Sequence, residues 1–339
     1  SRITKTVLVI DEAQDMNEDE FTLIKTLMEQ NEEMRVIAVG DDDQNIFEFR
    51  GAHSKYLGML LQAKEAVKHE LVENYRSKNN LVEFSNQFAK RIRNRLKDTP
   101  VIARQADNGS VKIVRYQSDN LIVPLVNDIL ATGLTGTTCV LTRTNEEALQ
   151  ITGLLLKNKM PAKLILSNDG FYLSHLAEVR YFVSQLNLAD DVYIIPDEVW
   201  ESAKRALHDE YRRSNKLEIC LNIIRDFEAT NPKKKYKSDL DVFIRESKLE
   251  DFMGECGETV LVSTIHKAKG KEFDHVFLML DNFMPDTDAE KRLLYVAMTR
   301  AKQRLTIHLN SNLLDNFRPV ENMERLVDSG SYNQHAEIA

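Results

Sequence analysis

The chain has 339 residues, a net charge of −8, 42% apolar and 29% charged side chains. That length allows two domains with sizeable cores, and the balance is that of a globular protein. An acidic total excludes coating nucleic acid by bulk charge, though not a narrow basic track, and no apolar run approaches the roughly 20 residues of a membrane span. Cys139, Cys220 and Cys256 stand apart without metal-ligand spacing, which points to reduced thiols and a cytoplasmic protein.

The chain opens on Thr6-Val7-Leu8-Val9-Ile10, a short β-branched run that reads as a strand buried on both faces. Asp11-Glu12-Ala13-Gln14-Asp15 follows at once. Two adjacent carboxylates then sit at the C-terminal end of a strand, where open α/β sheets bind ligands. They suit a cation and a hydrolytic water, or else an acid-rich helix N-terminus. A helix is predicted over Glu18–Glu29 and a strand over Val36–Val39. The next segment, Gly40-Asp41-Asp42-Asp43-Gln44-Asn45-Ile46-Phe47-Glu48-Phe49-Arg50-Gly51-Ala52, carries three acids that repel one another unless a cation lies near. Gln44 can donate and accept at once, as a sensor of phosphate or water must. Phe47 and Phe49 alternate with charged residues, offering either rings for bases to stack on or a core aromatic pair.

Leu71-Val72-Glu73-Asn74-Tyr75-Arg76-Ser77 places a ring and a guanidinium side by side, with Ser77 as the expected N-cap of a helix over Ser77–Lys97. Lys90, Arg91, Arg93, Arg95, Lys97 and Arg104 form one basic cluster and Lys233-Lys234-Lys235-Tyr236-Lys237 another. Each is a nucleic-acid track or a solvated face. Strands at Val111–Tyr116, Cys139–Thr142, Thr259–Val262, His275–Leu280 and Leu305–Leu309 alternate with helices at Glu146–Asn158 and Glu290–Lys302, the pattern of parallel sheets covered on both faces. Between about Phe171 and Phe252 the pattern turns helical throughout and includes the single Trp, Trp200.

Thr264-Ile265-His266-Lys267-Ala268-Lys269-Gly270-Lys271-Glu272 has the basic residues and the flexible Gly of a loop that touches polyanions. In the last helix Leu293, Val296, Ala297 and Arg300 fall at i, i+3, i+4 and i+7, leaving Arg300 at the end of an apolar stripe. An inward-facing Arg needs an anion, either a transition-state phosphate or a structural carboxylate. Gly270-Lys271 is the one Gly-Lys pair and Glu272 follows it, so the chain holds no phosphate-cradling loop ending in Gly-Lys-Ser/Thr. That loop is expected upstream of Ser1.

Taken in order, Asp-Glu-x-Gln-Asp, Gly-Asp-x-x-Gln…Phe-Arg-Gly-Ala, Asn-Tyr-Arg-Ser, Thr-x-His-x-x-Lys-Gly-x-Glu and Tyr-Val-Ala-x-Thr-Arg-Ala resemble the UvrD/Rep/PcrA branch of superfamily 1 DNA helicases, over about residues 6–310. The resemblance implies an α/β fold with two RecA-like parallel-sheet domains, the first incomplete, and an all-helical insertion in the second. The implied domains are 1–76, then 77–170 with 258–312, the insertion at 171–257 and a C-terminal tail at 313–339. It implies ATP and Mg²⁺ in a cleft between the RecA-like domains. Asp11 would hold Mg²⁺ and Glu12 would activate the water. Gln44, Arg76 and Arg300 would meet the γ-phosphate. Tyr75 would stack on adenine, and Glu272 would meet the ribose with Lys269 and Gly270 supporting its loop. Phe49, Arg50, Thr264 and His266 would meet single-stranded DNA or couple it to the nucleotide.

Single strands and their junctions with duplex are the implied partners, with 3′ to 5′ movement and no membrane. Phe49 stands where the family usually has Trp or a similar ring, Lys271 replaces a usual Leu, and Asn45 a usual Ser. The alternative is a helicase-derived module that binds DNA or a protein without turnover. A helicase whose phosphate-binding loop lies upstream leaves this chain by itself without ATPase activity.

Overall fold

The computed structural model describes residues 7–31, 33–62, 66–165, 173–187, 192–214, 216–246 and 259–328. Cys256 and the expected insertion limits at 171 and 257 lie outside these. The chain starts with β1 (Val7–Ile10), α1 (Glu18–Gln30), β2 (Arg35–Ala38) and α2 (Lys55–Leu61), followed by β3 (Glu73–Lys78), α3 (Asn79–Ala89) and β4 (Ile102–Gln105). Next come β5 (Ser110–Tyr116), α4 (Ile122–Ala131), β6 (Thr138–Thr142), α5 (Asn145–Lys157) and β7 (Ala162–Leu164). A helical stretch holds α6 (Ala177–Leu186), β8 (Ile194–Ile195), α7 (Asp197–Tyr211), α8 (Leu217–Thr230), β9 (Lys235–Tyr236) and α9 (Lys237–Glu246). The chain then returns through β10 (Val260–Thr264), β11 (Phe273–Leu280), α10 (Asp288–Met298), β12 (Ala301–Leu309) and β13 (Met323–Asp328).

Two compact units result: Ser1–Leu166 with Gly257–Ala339, and Ser167–Cys256. The larger is built on a seven-stranded sheet in the order β13-β5-β12-β11-β6-β10-β7, every pair parallel. Its side chains obey the strand's period of two. Val276, Leu278 and Leu280 of β11 join Cys139 and Leu141 of β6 in a core with α3 and α10. Phe277, Met279 and Val140 face the other way, into a core with α4 and α5. The α/β class with parallel sheets is therefore what the chain forms. Thr144 and Thr287 start α5 and α10 with capping boxes to Glu147 and Glu290, satisfying amides that a helix start would otherwise orphan.

Several elements differ from the sequence pattern, each for a visible reason. Among the described residues β1 pairs with β2 alone, and α1 and α2 cover one face of that pair. The opposite face is open, so Val9 is 62% exposed where the apolar run predicts burial on both sides. The predicted helix from Ser77 starts later because Ser77 belongs to β3, where its hydroxyl donates to Ala301 O at 2.7 Å; Lys78 is the cap residue. That helix ends at Ala89, and Asn94 then adopts a left-handed φ of 52° that breaks any continuation. The last helix stops at Met298, and β12 begins at Ala301, four residues before the predicted strand. Residues 313–328, predicted as tail, place Leu313, Leu314, Phe317 and Val320 in the core and supply edge strand β13.

The smaller unit packs α6 to α9 around the fully buried Trp200. It is not entirely helical: β8 and β9 form a two-residue antiparallel clip. Trp200 Nε1 donates to Glu228 at 2.6 Å, as a buried indole N–H requires. Lys235 of the Lys-rich segment is held at 2.8 Å by Asp197 and lies 5.6 Å from the Trp200 ring centre. That lysine serves the unit's own packing.

Leu141 is fully buried on β6, an interior strand beside the central β11. Leu141→Ala is expected to cost about 2–5 kcal/mol of stability in urea unfolding; a loss below about 1 kcal/mol would show that this sheet is not the core.

Candidate functional site

Three consecutive acids set the electrostatic problem. Asp41, Asp42 and Asp43 follow β2 with carboxylate oxygens within 4.8 Å of one another, and the last two are buried. The required cations come from the chain itself. Arg95 forks onto Asp43, Nε to Oδ1 at 2.8 Å and Nη2 to Oδ2 at 2.7 Å. Lys97 Nζ lies 2.6 Å from Asp41 Oδ1 and 3.2 Å from Asp43 Oδ2, and the Leu96 amide donates to Asp42 at 2.7 Å. Burial still holds the Asp42 carboxyl above its usual range. The bond to Asp43 raises Arg95; burial pulls Lys97 down, but Asp41 and Asp43 outweigh it and raise it.

The first basic cluster is thus not one free track. Arg95 and Lys97 neutralise the acidic turn, Arg104 pairs with Glu73, and Arg91 sits 4.4 Å over the Phe317 ring.

At the end of β1 both Asp11 and Glu12 are exposed, whereas the apolar strand predicts burial. The open face of the two-stranded sheet explains the difference. Glu12 adopts a left-handed φ of 48°, a strained choice for a side-chain-bearing residue. Gln14 Nε2 donates to Glu12 Oε2 at 2.5 Å, and the fully buried Gln14 returns its oxygen to the Asp41 amide at 2.9 Å. Gly40 makes that approach possible, since a Cβ there would lie 2.6 Å from Gln14 Oε1. Among the described residues the Asp11 carboxylate accepts just the Glu12 amide, at 2.9 Å. An exposed carboxylate at a strand end, with oxygen to spare, fits a hard cation held partly through water.

Gln44 is shared between both halves of the larger unit. Its Nε2 donates to Asp41 Oδ2 at 2.8 Å, and its Oε1 accepts from Arg300 Nη2 at 3.1 Å. Arg300 follows the Thr299 cap of α10 and is 1% exposed. Its remaining bonds go to Val296 O at 3.0 Å, Lys271 O at 3.2 Å and Thr299 Oγ1 at 3.1 Å. Burial, then the neighbouring Arg76, brings its pKa down to about 10, still charged at neutral pH. Arg76 on β3 pairs with Glu272 and donates to Thr299 O at 3.5 Å. Beside it, Tyr75 is 69% exposed with its hydroxyl on Glu73 at 2.5 Å. Lys269 Nζ bonds Asp15 at 2.5 Å and lies 3.9 Å from Glu12. Gly270 takes a φ of 79°, which a side chain would resist. Glu12, Gln44, Arg76, Lys269, Gly270, Glu272 and Arg300 therefore share one connected region.

The loop 265–272 leaves the C-terminal end of β10 and reaches the N-terminal end of β11, so it connects opposite ends of a parallel sheet. At its start, Thr264 is buried and His266 meets Phe49 edge-on at 5.4 Å and Phe47 at 6.3 Å between ring centres. Phe49 is 69% exposed, and Arg50 lies 5.4 Å from the Phe47 ring centre and 5.6 Å from that of Phe49. Burial keeps His266 below its usual pKa, favouring the neutral ring that packs on Phe49. Phe49 and Arg50 are exposed, whereas Phe47 and His266 are half-buried and Phe47 packs on the core, so the two rings are not a core pair.

Gln14, Asp15, Arg95, Lys97 and Arg292 carry the geometry without having been singled out for this site by their local pattern. Arg292 is buried on α10 and bonds Glu48 at 2.9 Å, fastening the Phe47–Arg50 segment to the helix that ends before Arg300. A Glu or Asp spaced over 50 or 200 residues from its Arg leaves no local trace; the pairs Asp43–Arg95 and Glu48–Arg292 are of this kind. Arg95→Ala removes the bidentate partner of the buried Asp43 and leaves it only Lys97 at 3.2 Å, and is expected to cost about 2–4 kcal/mol in urea unfolding at neutral pH; an unchanged midpoint would show that Lys97 alone satisfies Asp43.

The model of the UvrD/REP helicase N-terminal domain matches residues 2–68, and that of the UvrD-like helicase C-terminal domain matches 69–191 and 180–312. Relatives include the putative ATP-dependent DNA helicase YjcD of Bacillus subtilis, 24% identical over 91% of this chain and 52% of its own length. The ATP-dependent DNA helicase PcrA of the same organism is 23% identical over 87% of this chain and 54% of its own. The Gabija protein GajB of Bacillus cereus is 21% identical over 94% and 66%. The chain thus spans about half to two thirds of the length of these curated relatives. A solved C-terminal domain of a possible DNA helicase from Lactobacillus plantarum aligns over 74% of this chain and 98% of its own, at 16% identity and a TM-score of 0.35. With both domain models matched from residue 2 to residue 312, the chain belongs to the UvrD/Rep helicase family.

Proposed function

We propose that the protein to which this chain belongs hydrolyses ATP between the β1–β2 half and the seven-stranded half, and uses the cycle to move 3′ to 5′ on single-stranded DNA. The observation that carries this reading is the Arg300 guanidinium, buried and charged, reaching Gln44 of the other half at 3.1 Å. A guanidinium held in low dielectric stabilises charge strongly where a triphosphate develops it. Glu12, exposed at a strand end, is the group to orient and deprotonate water, and Tyr75 offers an open ring for a base. Mg²⁺ held at Asp11 would supply neutralisation of phosphate charge. Lys269, Glu272 and Arg76 line the rim on which the nucleotide would sit.

At the other end of loop 265–272, Phe49 and Arg50 form the platform for strand bases and phosphates, with His266 and Thr264 linking it to the nucleotide end. Closure around nucleotide then shifts that platform, because one short loop belongs to both ends. Junctions of single strand with duplex are the natural substrate for such movement. No helix among the described residues is long and apolar enough to cross a membrane, and the reading places the protein in the cytoplasm.

Glu12→Gln in the full-length protein is expected to keep nucleotide binding and to abolish strand-stimulated phosphate release; undiminished turnover would refute the assignment. Phe49→Ala is expected to weaken strand binding by about 1–3 kcal/mol, read by fluorescence titration. Equal affinity of the two proteins would remove Phe49 from the platform.

A further inference from the structure

Lys97 has a second consequence beyond neutralising acids. The two oxygens of Asp41 are divided: Oδ1 takes Lys97 at 2.6 Å and the Asp43 amide at 3.1 Å, and Oδ2 accepts Gln44 Nε2 at 2.8 Å. An amide side chain has a donor end and an acceptor end, and its surroundings decide which way it points. A carboxylate can only accept, so Asp41 selects the NH₂ end of Gln44 and leaves the oxygen for Arg300 at 3.1 Å. With the amide turned over, NH₂ would face guanidinium N–H, donor against donor, and the oxygen would face a carboxylate.

The groups around Asp41 leave Lys97 as its cation. Arg95 is committed to Asp43 with both forks. Tyr295, buried behind Asp41 and Asp43, is pushed up to about 12 by burial and stays neutral. Lys97 itself is mostly enclosed, with its side chain 18% exposed.

We infer that Lys97 is a positioning residue for Gln44: by holding the Asp41 carboxylate in place, it sets the orientation in which the Gln44 amide presents oxygen to Arg300. This rests on the proposed role of Gln44 and Arg300 at the nucleotide, and the test separates the two ideas. In full-length protein labelled with ¹⁵N-glutamine, the Gln44 side-chain resonance is identified by its loss in Gln44→Ala. It is expected to shift in Lys97→Met and in Asp41→Asn, and to return toward its original place in Lys97→Arg. A Gln44 resonance unmoved in folded Lys97→Met or Asp41→Asn overturns the inference, whatever the protein's activity.

Turnover supplies the second arm. With strand-stimulated ATP hydrolysis established for the parent protein, Lys97→Met should lower kcat about tenfold with KM little changed, and Lys97→Arg should restore most of it. In the Gln44→Ala background the same substitution should have no further effect, because the two act in series. Equal fractional losses in both backgrounds would make Lys97 a structural cation only and overturn the inference. A parent protein without hydrolysis would defeat the proposed function, while the resonance would still decide the role of Lys97.

Discussion

A buried guanidinium must find its acceptors inside the protein. Arg300 has lost its water, and four oxygens replace it: Val296 O, Lys271 O, Thr299 Oγ1 and Gln44 Oε1. Three of these come from α10 and the segment leading into β11, but the fourth belongs to the turn after β2. That one bond makes the turn, the loop 265–272 and the end of α10 parts of a single polar structure. Because the surroundings are of low dielectric, each bond is strong when made and costly when missing. A charge kept under such conditions at the N-terminal ends of β11 and β12 is poorly explained by stability alone, since apolar residues would serve a core as well.

The same logic governs the acidic turn. The adjacent carboxylates of Asp41 and Asp43 are met by Arg95 and Lys97, which arrive from beyond α3. Their arrival fixes more than charge. It sets where Asp41 lies, Asp41 sets which end of Gln44 faces it, and the outward end of Gln44 meets Arg300. Gln14 ties Glu12 into this sequence of bonds from the other side, through the Asp41 amide. The groups proposed to act on water and phosphate are thus mutually positioned before any nucleotide arrives.

The Phe47–Phe49–His266 cluster sits at the far end of the same loop and is built on different physics. Phe49 there is exposed, Phe47 and His266 are half-buried, the rings meet edge-on or tilted, and Arg50 lies against both phenyl rings. The Glu48–Arg292 pair anchors that segment to α10. The region of Glu12, Gln44 and Arg300 and the aromatic cluster are therefore joined by two routes, the eight-residue loop and the helix that ends before Arg300.

Local order along the chain was enough to name the strands and helices, because side-chain periodicity is a property of neighbours. β6, β10 and β11 were legible as apolar runs, as were α1, α5 and most of α10. The motif residues Glu12, Gln44, Arg76, Glu272 and Arg300 were legible too, by their order. Their meeting, however, depends on contacts spanning 196 and 256 residues, as in Arg76–Glu272 and Gln44–Arg300. β3, β4, β13 and the clip of β8 with β9 were missed because short or polar strands take their stability from partners rather than from their own pattern. Burial of β1 was overestimated because an apolar run reports what a strand could bury, not which face receives a covering layer. By itself the sequence determined the parallel α/β class and which side chains carry charge near which strand end. Only the tertiary structure decided which acids are neutralised, by which bases, and which way Gln44 points, because electrostatic pairing depends on distance in space and not along the chain.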